Sequence, residues 1–260
     1  MCLEKLTEVL RALSGAPRRK HFTSAIIAAG GSSERFEGTL TKQMTHICGK
    51  PLIAHTLLAF ERAECIDEII VCAKEDELEV YKALCEENGI TKVSEVVVGG
   101  KTRQESIFNG LRKVSDESKY VAISDGARCL VTPEQIKEVC SAAYKYDAAT
   151  AAHRSTDTVK ISDDHGFIDS TTDRNTVWLA QTPQVFKTNL YRAATYTALE
   201  NGYEGTDDNM LVELLKCPIK LVECGSQNIK VTTVDDIILA RAVIESRLSE
   251  NGAKSREGQA

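Results

Sequence analysis

Short runs rich in Ile, Val and Ala alternate along this chain with longer segments of helical period, and few folds accommodate that alternation. Ser24 to Ala28, Glu68 to Ala73, Val93 to Val98, Tyr120 to Ser124 and Asp147 to Ala152 read as strands. Between them, Pro51 to Arg62, Glu75 to Glu87, Thr102 to Val114 and Pro133 to Tyr146 read as helices. Apolar strands separated by helices imply a doubly wound, mostly parallel α/β sheet, covered on both faces. Pro51 and Pro133 stand where a first helical turn accepts proline, and Thr102 with Glu105 has capping-box spacing.

The pattern changes from His153 to about Ala180. Polar and β-branched residues dominate, turn signals cluster at Asp163-Asp164-His165-Gly166, and no helical period is visible, so residues 153–180 read as a projecting β-hairpin arm. Helices then follow at Lys187 to Glu200, Asp207 to Leu215 and Val234 to Leu248, with strands at Ile219 to Glu223 and Asn228 to Thr232. Residues 1–22 read as an accessory amphipathic helix, with Leu3, Leu6, Val9, Leu10 and Leu13 at helical spacing, and a basic linker through Arg18-Arg19-Lys20. The main domain spans residues 23–248, and the polar residues 249–260 read as a flexible tail.

Composition narrows the function. A hydrophobic content of 42% in 260 residues supports a large buried core. A net charge of −6 offers no field for nucleic acid, so anion binding must come from local cationic clusters. The nine cysteines include no CxxC pair, and Cys65, Cys72, Cys85, Cys140 and Cys217 fall in apolar segments, which points to reduced thiols in a cytoplasmic protein. The five dispersed histidines show no zinc-ligand spacing, and no stretch approaches the roughly 20 apolar residues of a membrane span.

Ligands of open α/β sheets bind beyond the carboxyl ends of the strands. After the first strand, Ala28-Ala29-Gly30-Gly31 forms a small-residue loop whose backbone N–H groups can approach phosphate oxygens, with Arg35 and Lys42 as a fork and a point charge over them. The plainer alternative is an ordinary turn with two solvated cations. Gly99-Gly100 with Arg103 and Ser106 follows the third strand, where a flat base and ribose have room. Asp125-Gly126-Ala127-Arg128 follows the fourth and places a carboxylate where Mg²⁺ can be held against phosphates, or an acid in a buried pair with arginine. Arg174 at the end of the arm and Lys230 within the last strand complete four cations at special positions.

Taken in order, Ala28-Ala29-Gly30, Arg35, Lys42-Gln43, Gly99-Gly100, Arg103, Ser106, Asp125-Gly126-Ala127-Arg128, Asp173-Arg174, Gln181-Thr182-Pro183-Gln184, Thr206-Asp207 and Asn228-Ile229-Lys230 closely resemble the 2-C-methyl-D-erythritol 4-phosphate cytidylyltransferase family. The resemblance implies a Rossmann-like nucleotidyltransferase fold and transfer of CMP from CTP to a sugar-alcohol phosphate with Mg²⁺. It implies catalytic roles for Arg35, Lys42, Arg174 and Lys230. It implies a nucleotide site of Ala28, Ala29, Gly30, Gly31, Gly99, Gly100, Arg103, Ser106, Asp125 and Gly126, with Asp125 on the metal. Arg128, Thr158, Arg174, Thr206 and Lys230 would meet the acceptor, and the arm would form a homodimer. Ribitol 5-phosphate as acceptor, and a non-catalytic nucleotide-binding module, remain the alternatives at this level.

Overall fold

A computed structural model describes residues 21–31 and 42–257. Residues 1–20, with the accessory helix, and residues 32–41, with Arg35, lie outside the described residues.

Of the expected strands, all but the one at Asn228 to Thr232 form. β1 (Thr23–Ala28) is followed by a small hairpin, β2 (His46–Ile47) and β3 (Lys50–Pro51), and then by α1 (Leu52–Arg62). β4 (Glu68–Ala73), α2 (Leu78–Glu87), β5 (Val93–Val98), α3 (Arg103–Leu111), β6 (Tyr120–Asp125), α4 (Pro133–Tyr146) and β7 (Ala148–Arg154) continue the alternation. The arm holds β8 (Lys160–Ser162) and β9 (Ile168–Thr171); β10 (Trp178–Lys187), α5 (Thr188–Glu200), α6 (Asp208–Glu213), β11 (Lys220–Glu223) and α7 (Val234–Glu257) complete the chain.

The main sheet has seven strands in the order β11-β7-β10-β6-β1-β4-β5. β1 pairs parallel with β4 and β6, β4 with β5, and β11 with β7. β10 runs antiparallel to both its neighbours. The chain leaves β1 toward β4 and β5, then returns to β6 on the other side of β1. The resulting switch point between β1 and β6 opens the crevice in which such sheets bind ligands.

Side-chain alternation divides the core into two layers. Ala25, Ile27, Ile69, Val71 and Ala122 pack with α1, α2 and α4, whereas Ile26, Ile70, Cys72, Val121 and Ile123 pack with α3, α5 and α6. A third cluster joins Ile47, Leu52, Leu130 and Val231 to Ala240 and Ile244 of α7. Thr132 and Gln135 cap α4 reciprocally, with Pro133 at its first turn. Pro51 caps α1 one position earlier than expected, and Thr102 accepts the Glu105 N–H at 3.1 Å. The Glu105 carboxylate accepts from the Lys101 N–H instead of closing a box on Thr102.

Three expectations need correction. Asn228 to Thr232 is not a strand: its segment crosses to α7 irregularly, and Val231 is buried against that helix's cluster. Trp178–Lys187 is a full strand of the central sheet, which the sequence pattern misses because Pro183 removes a ladder donor. Its pairing with β7 lapses between Ala180 and Gln184, leaving Gln181 to Pro183 outside the ladder. Helix α7 continues to Glu257, past Leu248. The arm forms as expected: β8 and β9 pair antiparallel and are exposed throughout, and the Asp163 carboxylate accepts from the His165 and Phe167 N–H groups at the turn.

The approach of α3 to the sheet depends on Gly110. A Cβ there would stand 2.7 Å from both Cys72 Sγ and Ile26 Cγ2. Gly110→Ala overpacks this contact and is expected to cost about 1–3 kcal/mol, lowering the melting temperature by about 2–10 °C. Thermal denaturation of the variant checks this, and an unchanged or higher melting temperature would contradict the packing.

Candidate active site

The crevice is built around Asp125, the last residue of β6 and 7% exposed. Burying a carboxylate requires compensation by charge and hydrogen bonds. Arg103 Nε lies 2.9 Å from Asp125 Oδ1, Lys230 Nζ 3.0 Å from Oδ2, and Arg128 Nε 4.0 Å from Oδ2. Burial alone would raise the Asp125 carboxyl, but Arg103, then Lys230 and Arg128, outweigh it and hold the group well below the usual carboxylate range. The group is therefore ionised throughout the physiological pH range.

Arg103, at the first turn of α3, bridges two acids. Its Nη1 lies 2.7 Å from Asp208 Oδ2, and Asp208 Oδ1 accepts the Tyr191 hydroxyl at 2.6 Å. Burial disfavours the Arg103 cation, yet Asp208 and Asp125 together raise its pKa above the usual arginine value. Burial pushes the Tyr191 hydroxyl far up, reinforced by Asp208, so it remains a neutral donor. Gln184 fixes the start of α6 by accepting from the Asp208 and Asn209 N–H groups and donating to Asp207 at 2.9 Å.

The stretch of β10 that leaves the ladder serves the site. Thr182 Oγ1 accepts the Asp125 N–H at 3.1 Å and shares a hydrogen bond with Ser124. Asn228, fully buried, donates to Thr182 O at 2.8 Å and to Gln181 Oε1 at 3.2 Å. Its carbonyl accepts Arg128 Nη1 at 2.6 Å. Arg128, Lys230, Arg103, Asp125, Thr206 and Asp207 face Gln181 and Thr182 across a cleft of about 260 Å³.

The residues expected on the nucleotide side lie at the same end of the sheet. Ala29 N–H donates to Cys72 O, and Gly126 N–H donates to Ala28 O at 2.9 Å, which locks the ends of β1 and β6 together. A Cβ on Gly126 would stand 2.5 Å from Ile53 Cδ1 and 3.0 Å from Ala28 O, so this approach requires glycine. Gly30 lies half-buried over the end of β4, and Gly31 is exposed. Lys42 opens a 3-10 turn whose buried Gln43 packs beside Gly126, bringing Lys42 toward the cleft end of β6. Ser106 Oγ accepts the Gly100 N–H and donates to Thr102 O, both at 2.9 Å, and so shapes the Gly99-Gly100 loop from within.

Arg174 and Thr158 stand apart from this cleft. Both lie on the exposed arm, where Arg174 Nη1 donates to Thr156 O at 3.3 Å. The arm is braced at its base by the Arg154 guanidinium, 4.5 Å above the Trp178 ring. Asp208 carries no strong sequence signal, and Gln181, Thr182 and Asn228 are visible there only as parts of motifs. Among the described residues, no helix is long and apolar enough to cross a membrane.

The family model for 2-C-methyl-D-erythritol 4-phosphate cytidylyltransferase matches residues 23–246. The enzyme of that name from Caldanaerobacter subterraneus subsp. tengcongensis is 43% identical over 222 residues, covering 84% of this chain and 96% of the relative. The one from Syntrophus aciditrophicus is 40% identical, covering 85% and 95%. The crystal structure of 4-diphosphocytidyl-2C-methyl-D-erythritol synthase from Anaerococcus prevotii superposes with a TM-score of 0.78 at 33% identity, covering 86% of this chain and 96% of that one. For the cytidylyltransferase structure from Thermus thermophilus the TM-score is 0.70 at 29% identity, with 85% and 98% covered. With the switch-point crevice and its cations occupying the matched region, this chain belongs to the 2-C-methyl-D-erythritol 4-phosphate cytidylyltransferase family.

Proposed function

We propose that this chain transfers CMP from CTP to 2-C-methyl-D-erythritol 4-phosphate in the non-mevalonate route to isoprenoids, releasing pyrophosphate. The observation that carries this reading is the meeting of Asp125, Arg128 and Lys230 in one cleft at the switch point of a chain of this family. The second ionisation of a phosphate monoester lies near about pH 6, so the acceptor oxygen is largely anionic at neutral pH and requires no strong base. It attacks the α-phosphorus of CTP, and the bond to the β-phosphate oxygen breaks as pyrophosphate departs with the electron pair.

The protein's work is positioning and charge compensation. The resemblance assigns charge compensation at the triphosphate to Arg35 and Lys42, and the backbone of Ala28, Ala29, Gly30 and Gly31 is the part that approaches it. Gly99, Gly100 and Ser106 form the wall for cytosine. Lys230, 43% exposed on its side chain, presents its ammonium to the cleft and, with Arg128 and Thr206, receives the acceptor phosphate.

Asp125 fits a Mg²⁺ ion that arrives on the nucleotide. Its carboxylate is ionised and lines the cleft, and a Mg²⁺ ion held there would take the place of one of its present partners, Arg103 on Oδ1 or Lys230 on Oδ2. Mg²⁺ commonly takes one or two carboxylates and completes its shell with substrate phosphates and water. Bound there, it would neutralise charge on the triphosphate oxygens.

For Arg174 and Thr158 to reach the acceptor, the arm must serve the site of a second copy, so the working unit is a homodimer in the cytoplasm. Pyrophosphate release from CTP and Mg²⁺, measured in parallel with 2-C-methyl-D-erythritol 4-phosphate and ribitol 5-phosphate, tests the reaction. Rapid release with the former is expected. Preference for ribitol 5-phosphate would change the acceptor, and silence with both would remove the activity.

Lys42→Ala and Arg174→Ala are each expected to reduce turnover by on the order of a hundredfold. Because Lys42 acts in its own subunit and Arg174 in the other's, co-expressing the two variants should restore about a quarter of native activity through mixed dimers. No recovery above the single variants would place both residues in one subunit's site.

A further inference from the structure

We propose that Asn228 is a positioning residue that sets Lys230 and Arg128 at the spacing required by the acceptor's phosphate, an inference that rests on the acceptor role assigned to Lys230 above. Lys230 lies in an irregular segment between β11 and α7, with no strand ladder to fix it. Two anchors flank it. On one side, the Asn228 amide donates both its N–H groups into the unpaired stretch of β10, to Thr182 O at 2.8 Å and Gln181 Oε1 at 3.2 Å. On the other, the N–H of buried Val231 donates to Ala127 O at 2.9 Å, two residues beyond Asp125.

Gln181 grips the same loop again, because its Nε2 donates to Gly225 O at 2.9 Å. Asn228 also reaches the second cation directly, since its carbonyl accepts Arg128 Nη1 at 2.6 Å. One residue therefore fixes the loop that carries Lys230 and orients Arg128, whose side chains both approach Asp125 Oδ2. Two acceptors converging on one planar group call for an amide donor pair, which a hydroxyl or a carboxylate does not supply. Among the described residues the Asn228 Oδ1 is buried without a hydrogen-bond partner, so this amide is held by its two donor bonds.

Steady-state kinetics of Asn228→Ala and Gln181→Met, with Lys230→Ala alongside, test the proposal. Loss of this grip is expected to raise KM for 2-C-methyl-D-erythritol 4-phosphate by about tenfold while KM for CTP stays within about twofold. Gln181→Met deletes the Asn228 bond to Gln181 Oε1, with the Gln181 bond to Gly225 O, and leaves the one to Thr182 O, so it should reproduce the split in weaker form even if Asn228→Ala fails to fold. The double variant should then be less than additive. If Lys230→Ala raises the acceptor KM but the other two variants change both KM values equally, or neither, the positioning role is overturned. If Lys230→Ala leaves the acceptor KM unchanged, the acceptor role of Lys230 falls first and takes the inference with it.

Discussion

A buried carboxylate at the end of a central strand must have cations brought to it, and the site of this protein is organised by that requirement at Asp125. Arg103 from α3, Arg128 from the turn after β6 and Lys230 from the segment before α7 are distant in sequence and meet because one anion needs them. Arg103 passes the constraint on to Asp208 by an ion pair, and Asp208 to the neutral Tyr191 hydroxyl by a hydrogen bond, so the network runs from the cleft into the layer beneath α5 and α6. A cluster held in this way is preorganised: its cations are oriented before a polyanionic substrate arrives.

The sheet supplies what the charges alone cannot. β1 and β6 are locked at their carboxyl ends by the Gly126 to Ala28 hydrogen bond, so the loop after β1 and Asp125 are held side by side. The break in β10 pairing frees Gln181 and Thr182 to bond the Asp125 N–H and Asn228 instead of continuing the ladder. The arm differs in kind. Its strands β8 and β9 pair chiefly with each other and are exposed on both faces, a construction suited to reaching another surface.

Much of this was legible in the sequence because strands covered on both faces leave a nearly continuous apolar signature, as in Ser24 to Ala28 and Tyr120 to Ser124. β10 was hidden by Pro183, whose missing N–H is tolerated only because the ladder lapses there. The alternation of Ile229 and Val231 about Lys230 imitates a strand, but those apolar side chains pack with α7 instead of facing a sheet. The pairing of Arg103 with Asp208 gives no local signal, since neither periodicity nor spacing reports which distant acid a helix-terminal arginine will meet.

The measurement closest to the central claim is the turnover of Asp125→Asn at saturating CTP, Mg²⁺ and acceptor, with circular dichroism to verify the fold. The neutral amide keeps the shape and removes the charge that gathers the cations. Turnover reduced by on the order of a hundredfold or more in a folded variant is the expected result. A folded Asp125→Asn protein with turnover near that of the native chain would contradict the organisation of the site around this carboxylate.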